Sequence, residues 1–160
     1  MLLKDIIDVD FVNYKVPSML LATCFCTFKC PKELGLDVSI CQNEPLYKQP
    51  NIEVATDEIF RRYQENKITH AIVFGGMEPF LQFDEMLEVI KVFRDGGCND
   101  TFCIYTGYNE SEIQHQIEVL SQFQDLILKV GRFVPNQNPH YDELLGVKLA
   151  SPNQYAIKIS

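Results

Sequence analysis

Cysteine is the residue type most able to do chemistry in this chain, because four of its six cysteines lie close together: Cys24, Cys26, Cys30 and Cys41. They follow an apolar segment, residues 19–22, which predicts a buried strand. The thiols therefore lie where a strand emerges into a loop. In barrels of alternating strands and helices, that end of each strand is where catalytic groups are found.

Spacing alone leaves three interpretations of these cysteines open. Cys26 and Cys30, with three residues between them, are a common opening for an iron–sulfur site, with Cys41 as a third ligand and Cys24 as a fourth. Four thiolates could also hold a structural zinc ion, although the chain has no cysteine pair with two intervening residues of the kind usual in zinc sites. Free cysteines also pack as small buried hydrophobes, and Cys24, which lies next to the predicted strand, is a candidate for simple burial.

Composition restricts the class of protein. The chain has 160 residues, 46% of them apolar, and a formal net charge of −8, which predicts one globular domain over residues 1–160. Nucleic acid is disfavoured as a partner, because it selects for a basic surface. No apolar run reaches the roughly 20 residues that span a bilayer, and residues 1–5 do not resemble a signal peptide. We expect a cytoplasmic protein without membrane contact, whose reduced thiols favour a metal or cluster over disulfides.

Apolar runs and helical periodicity alternate along the chain after the cysteine loop. This alternation predicts an α/β fold with a mostly parallel sheet and right-handed crossovers. The units are too few for a closed eight-stranded barrel, so we expect an open, partial barrel. The sequence predicts a short opening strand near residues 6–12, and loops over 24–52 and 131–152. The remaining strands are expected at 18–23, 69–74, 101–105, 126–130 and 154–159, and helices at 56–66, 81–95 and from 109.

A second candidate site follows the strand predicted at 69–74. Gly75 and Gly76 allow a ligand to approach the backbone closely, and Glu78 could pair with a cation such as an α-ammonium group. The alternative is an ordinary strand-to-helix turn with a solvated Glu78.

Three motifs occur in an order that resembles the radical S-adenosylmethionine (SAM) family: a cysteine loop, then Gly-Gly-x-Glu-Pro, then Tyr-Thr-Gly. More narrowly, the chain resembles the small activating proteins of anaerobic ribonucleoside-triphosphate reductase, and the resemblance covers nearly the whole chain. The matching segments are residues 10–13, 26–31, 41–43, 75–80, 104–108, 131–133 and 151–154.

The resemblance implies a set of site residues and a fold, an open partial (βα) barrel of radical SAM type. Three cysteines would hold a [4Fe–4S] cluster and leave one iron open to SAM. For Lys129, a strand-end lysine that only extends to solvent is an equal alternative. The implied cluster ligands are Cys26, Cys30 and Cys41, with Cys24 in reserve. The implied SAM contacts are Gly75, Gly76 and Glu78 at the methionine end, Tyr105 and Thr106 at the nucleoside side, and Lys129 and Asn153 as further polar contacts.

The chain departs from the family pattern at several positions. The family spacing is Cys-x3-Cys-x2-Cys, whereas ten residues separate Cys30 from Cys41, an insertion of eight. Met77 is an extra residue between the glycine pair and Glu-Pro, and no aspartate precedes Gly131. Because Cys24 is an additional thiol, the choice between Cys24 and Cys41 as the third ligand stays open.

The implied activity is reductive cleavage of SAM to methionine and a 5′-deoxyadenosyl radical, which abstracts a hydrogen atom. In the activating proteins that hydrogen comes from a glycine of a large partner, here an anaerobic ribonucleotide reductase, and an electron donor such as flavodoxin or ferredoxin supplies the electron. Two other functions remain: a radical SAM enzyme acting on a small molecule or peptide, and a non-catalytic, metal-bound interaction module.

Overall fold

The computed structural model describes residues 1–160 as a mixed α/β structure around a seven-stranded sheet. Apolar runs rich in β-branched residues form the central strands, and amphipathic segments form the helices between them. The strands are β1 (Leu2–Asp10), β2 (Ser18–Thr23), β3 (Ile52–Glu53), β4 (Ala71–Gly76), β5 (Thr101–Tyr105), β6 (Leu126–Val130), β7 (His140–Asp142), β8 (Val147–Leu149) and β9 (Tyr155–Lys158). The helices are α1 (Lys29–Glu33), α2 (Glu44–Tyr47), α3 (Thr56–Glu65), α4 (Phe83–Asp95) and α5 (Gln114–Leu120).

The sheet has the strand order β3-β1-β2-β4-β5-β6-β9. Its centre, β2, β4, β5 and β6, is parallel, while β1, β3 and β9 pair antiparallel with their neighbours. The expected parallel sheet is therefore confirmed for its central strands. The edge strands β3 and β9 do not pair with each other, so the sheet is not a closed barrel. Strands β7 and β8 form a separate hairpin.

One face of the sheet is covered by helices α3, α4 and α5. Alternate strand residues point to this face and bury an aromatic core in which Phe102 contacts Phe74 and Phe93, at ring centroid distances of 5.9 and 5.4 Å. All three rings are fully buried. This face contains most of the apolar burial that stabilises the fold.

The other face, called here the inner face, has two layers set by the strand register. The lower layer contains Val73, Cys103 and Ile127, against which Tyr14 and Leu145 pack. The upper layer lies at the carboxyl ends of the parallel strands and contains Ala22 paired with Gly75, and Tyr105 paired with Lys129. Because side chains alternate along a strand, apolar and polar layers succeed each other two residues apart.

Several predicted elements differ from those observed. The opening strand is not short: β1 runs from Leu2 to Asp10. The expected loop 24–52 contains two short helices, a 3₁₀ turn over Val38–Ile40 and strand β3, and the expected loop 131–152 contains the β7–β8 hairpin. None of the helices combines the length and the apolar character that a bilayer-spanning helix requires.

Candidate functional site

A cavity of about 500 Å³ lies over the upper layer of the inner face. This is within the range of roughly 300–1,000 Å³ typical of small-molecule and cofactor sites. Residues from both candidate sites of the sequence line it, as does strand β8. The predicted site residues in its wall are Cys26, Cys30, Cys41, Gly75, Gly76, Glu78, Tyr105, Thr106 and Lys129.

The cysteine loop is folded locally rather than extended. Phe28 adopts a left-handed conformation with φ of 55°, and its N–H donates to Cys26 Sγ over 3.2 Å. Helix α1 then begins at Lys29, so that Cys30 lies in its first turn. The Phe28 ring packs edge-on against Tyr47 of α2 with centroids 4.8 Å apart, which joins the two halves of the loop.

Three of the four clustered cysteines share the cavity, and this arrangement fits a cluster. No group of three or more histidine, cysteine, aspartate or glutamate side chains is placed to hold a single metal ion. The ligands of a four-iron cluster each bind a different iron, so they surround a larger space. A β-carbon at Gly107 would lie 3.2 Å from Cys30 Sγ, and this glycine therefore leaves room beside the thiol.

Burial affects the acidity of these thiols. It raises the pKa of Cys26 to about 11, and the nearby Cys30 and Cys41 contribute to the rise. Burial also raises the pKa of Cys41. Because only thiolates bind iron, loading a cluster would release these protons.

Cys24 has a different environment from the other three. It is 2% exposed and does not line the cavity. Its N–H donates to Gln82 Oε1 over 3.0 Å, and its thiol donates to the same oxygen over 3.4 Å. Gln82 in turn donates to the carbonyl of Leu2, so this cysteine is tied into the sheet.

The glycine pair belongs to β4 and does not follow it. Gly75 pairs with Ala22 and Gly76 pairs with Thr23, which extends the strand two residues beyond its predicted end. Gly76 has φ of 80°, and a β-carbon there would lie 3.1 Å from Ala22 and from the Leu46 side chain. Both the backbone conformation and the close approach therefore require glycine.

Glu78 is buried and joins the ends of β4 and β5. Its Oε1 accepts from the Thr106 hydroxyl over 2.8 Å and from the Phe80 N–H over 3.2 Å. Its Oε2 accepts from the Gly107 N–H over 2.9 Å. Burial raises the pKa of this carboxyl, although the three donors oppose the rise. A carboxylate has about four acceptor positions, so Oε2 can accept one more hydrogen bond from a ligand in the cavity.

Lys129 places a cation in the wall of the cavity without a carboxylate ion pair. It is 7% exposed, and its Nζ donates to the carbonyl of Gly131 over 3.2 Å. Burial lowers its pKa to about 8, while Cys30 and Glu78 act in the opposite direction. The alternative of a lysine extended to solvent does not describe this side chain. Beside it, the Tyr105 hydroxyl donates to the carbonyl of Asn13.

The seventh residue of the predicted SAM set, Asn153, lies outside the cavity wall. Its amide donates to the carbonyl of Arg132 over 2.7 Å, and its own carbonyl lies 2.5 Å from where a β-carbon of Gly131 would be. It therefore supports the chain after β6 in this structure. The specific ligand roles of all these residues stay predictions.

Two residues at the site were not among the predicted contacts. The Asn43 amide donates to the carbonyl of Gly76, which ties the Cys41 loop to the glycine pair. Asn43 could have been identified from the sequence, because it lies two residues after Cys41 in the matching segment 41–43. Arg132 lies in the matching segment 131–133, but its ion pairs join it to Glu33 and Glu112, which are distant in the sequence, and no local pattern predicts them.

The sequence matches the protein family described as 4Fe-4S single cluster domain over residues 19–154. No curated protein and no solved structure matches the chain. The matched span contains the four clustered cysteines and the Gly-Gly-Met-Glu segment. Among the three interpretations of the cysteines, the iron–sulfur one is thereby confirmed. With most of its length matched, the chain belongs to the 4Fe-4S single cluster domain family.

Proposed function

We propose that this iron–sulfur protein is a radical SAM enzyme that cleaves SAM reductively and installs a glycyl radical on an anaerobic ribonucleotide reductase. The observation that supports this most is the shared cavity. The cysteine loop, the Gly-Gly-Met-Glu segment and Lys129 come from three distant parts of the sequence and line one space.

When a [4Fe–4S] cluster and SAM are bound, they supply one-electron cleavage of a carbon–sulfur bond to give methionine and a 5′-deoxyadenosyl radical. The chain's part is to hold and orient both groups. Cys26, Cys30 and Cys41 would bind three irons as thiolates. The unused acceptor position of Glu78 Oε2 suits an ammonium group, and the glycines leave room for it beside the strand.

The remaining wall suits the other parts of SAM. Lys129 has no carboxylate ion pair, and a buried cation of this kind is stabilised by an anionic ligand such as the SAM carboxylate. The Tyr105 ring offers an apolar surface to the nucleoside, and the Thr106 hydroxyl holds Glu78 in place.

The proposed target is a glycine presented by a separate protein. The cavity rim includes Ile7 and Val12, which are 39% and 73% exposed. Exposed apolar residues at the edge of a site favour contact with a protein segment. The electron would come from a carrier such as flavodoxin or ferredoxin, which is a proposal from the family resemblance alone.

The test is anaerobic reconstitution followed by iron and sulfide analysis and EPR of the reduced protein with and without SAM. We expect about four irons per chain, an EPR signal that changes when SAM is added, and formation of methionine and 5′-deoxyadenosine. With an anaerobic ribonucleotide reductase present, a glycyl radical signal should follow.

The other outcomes distinguish the competing functions. SAM cleavage that never produces a glycyl radical would favour a small-molecule or peptide substrate. A cluster whose EPR signal is indifferent to SAM would contradict the proposal and favour a non-catalytic interaction module.

A further inference from the structure

Arg132 is a largely buried cation beside the candidate site, and the function proposed above gives it no role. Its side chain is 10% exposed. The backbone on either side is fixed: the Gly131 N–H donates to the carbonyl of Tyr108 over 2.9 Å, and the Arg132 carbonyl accepts from Asn153. The backbone that carries the Arg132 guanidinium is therefore held in place.

The guanidinium contacts three separate segments. Nε and Nη2 each donate to one carboxylate oxygen of Glu33 over 3.0 Å, and Nη2 also donates to Glu112 over 2.7 Å. Nη1 donates to the carbonyl of Gly107. The ring of Tyr108 lies against the group, with its centroid 5.4 Å from the guanidinium carbon. Hydrogen bonds from Arg132 hold the pKa of Glu33 below its usual value.

Two of these segments lie on either side of Cys30. Glu33 is three residues after Cys30 on α1, so the pair with Arg132 anchors the helix that contains this thiol. Gly107 is the residue that faces Cys30 Sγ, and its N–H also holds Glu78. A single side chain thus joins the cysteine-bearing helix to the strand end that orients Glu78.

We propose that Arg132 is a positioning residue that fixes the Cys30 thiolate relative to Glu78, and with it the cluster relative to the SAM site. The SAM part of this inference rests on the proposed function, whereas the cluster part does not. Only a planar group with several donors in fixed directions can bond Glu33 at two points and Gly107 at a third. A lysine would keep the charge but lose this geometry.

The experiment compares Arg132→Met and Arg132→Lys with the control Arg62→Met. Arg62 also forms a two-point pair, with Asp8 at 3.0 and 2.8 Å, but lies on α3 and does not line the cavity. The first readout is the rate at which a chelator removes iron from the reconstituted protein. The second is the SAM concentration that gives half of the EPR change.

We expect both Arg132 variants to lose iron about 10-fold faster than the wild type and to need about 10-fold more SAM, the usual effect of removing support behind a metal ligand. Arg62→Met should behave as the wild type. Wild-type values in a folded Arg132→Met would overturn the inference. Full recovery in Arg132→Lys would also overturn it, because charge rather than position would then be responsible.

Glu33→Ala, which removes both acceptor oxygens, keeps the inference testable if the Arg132 variants do not fold, since the Glu33 side chain is half exposed at 51%. It should reproduce the faster loss of iron, and wild-type retention of iron would count against the inference. If the wild type proves indifferent to SAM, the proposed function fails, yet the chelator measurement still decides the role of Arg132.

Discussion

The two faces of the central sheet differ although the same strands form them. On the helix-covered face, Phe74 and Phe102 are fully buried in an aromatic core. On the inner face stand Gly75 and Cys103, each one residue further along its strand, and Tyr105, two residues after Cys103. The difference shows that, along one strand, residues facing the helices stabilise the fold while the residues between them line the candidate site.

The division explains how the inner face tolerates groups that destabilise a fold. Glu78 and Lys129 are both more than nine-tenths buried, and burial shifts the pKa of each toward its neutral form. A sheet without a well-packed opposite face would have little stability in reserve for such groups.

The largest expected effect is on iron content. It should distinguish the thiols that line the cavity from Cys24. Cys26→Ser and Cys30→Ser should abolish stable iron binding, because each removes a ligand. Cys24→Ser should retain close to the wild-type iron content, since this thiol contacts Gln82 instead of the cavity. Iron per chain after anaerobic reconstitution is the measurement. Equal loss of iron in the Cys24 variant would reverse the ligand choice.

The next largest effect is expected on stability, when a large side chain is removed from the core under the helices. Phe102→Ala should lower the free energy of unfolding by about 3–5 kcal/mol, because it leaves a cavity among packed rings. Phe11→Ala is the control, since that ring is 69% exposed. Urea denaturation measures both. A small effect of Phe102→Ala would mean that the aromatic core does not dominate stability.

A substitution on the inner face should raise the free energy of unfolding instead of lowering it. Lys129→Met should raise the stability of the cluster-free protein by about 1–3 kcal/mol at pH 7, because it removes a buried cation. The exposed Lys91→Met serves as the comparison. If Lys129→Met lowers the free energy of unfolding, the buried Lys129 does not destabilise the folded protein.

The pH dependence of this variant gives an independent check. The pKa of Lys129 is about 8 in the folded protein and ordinarily 10.5, so between these values the unfolded chain binds more protons. The destabilisation that Lys129 causes should therefore decrease as pH rises through this window. The advantage of the Met variant should be greatest below about pH 8 and shrink toward pH 10.5. Denaturation curves across this range would test the trend.

The smallest expected effect is that of Tyr105→Phe. It removes the hydrogen bond to the Asn13 carbonyl and leaves the ring in place, which should cost about 0.5–1.5 kcal/mol of stability. The iron content should not change. Loss of iron in this variant would show that the loop at residue 13 also shapes the cluster site.

The sequence predicts the central strands well because their burial leaves a continuous apolar pattern. The bounds of β2, β5 and β6 agree with the prediction to the residue. For β4 the prediction ends two residues early, since the glycine pair has low strand propensity and only its pairing with β2 keeps it in the sheet.

Other features depend on contacts that no local pattern records. The β7–β8 hairpin has strands of three residues each, too short to show alternation. The shared cavity was predictable in part, because parallel strands place their carboxyl ends at one edge. The hydrogen bonds of Cys24 to Gln82 were not, because these two residues are distant in the sequence.

The hydrogen bond from the Asn43 amide to the Gly76 carbonyl connects the cysteine loop directly to the glycine pair. On the proposed function, each of these two segments holds a different ligand. Ligands that stabilise the same contact are thermodynamically linked, and the factor by which the cluster strengthens SAM binding must equal the factor by which SAM strengthens cluster binding. The fraction of this protein that retains its cluster at equilibrium would then depend on how much SAM surrounds it.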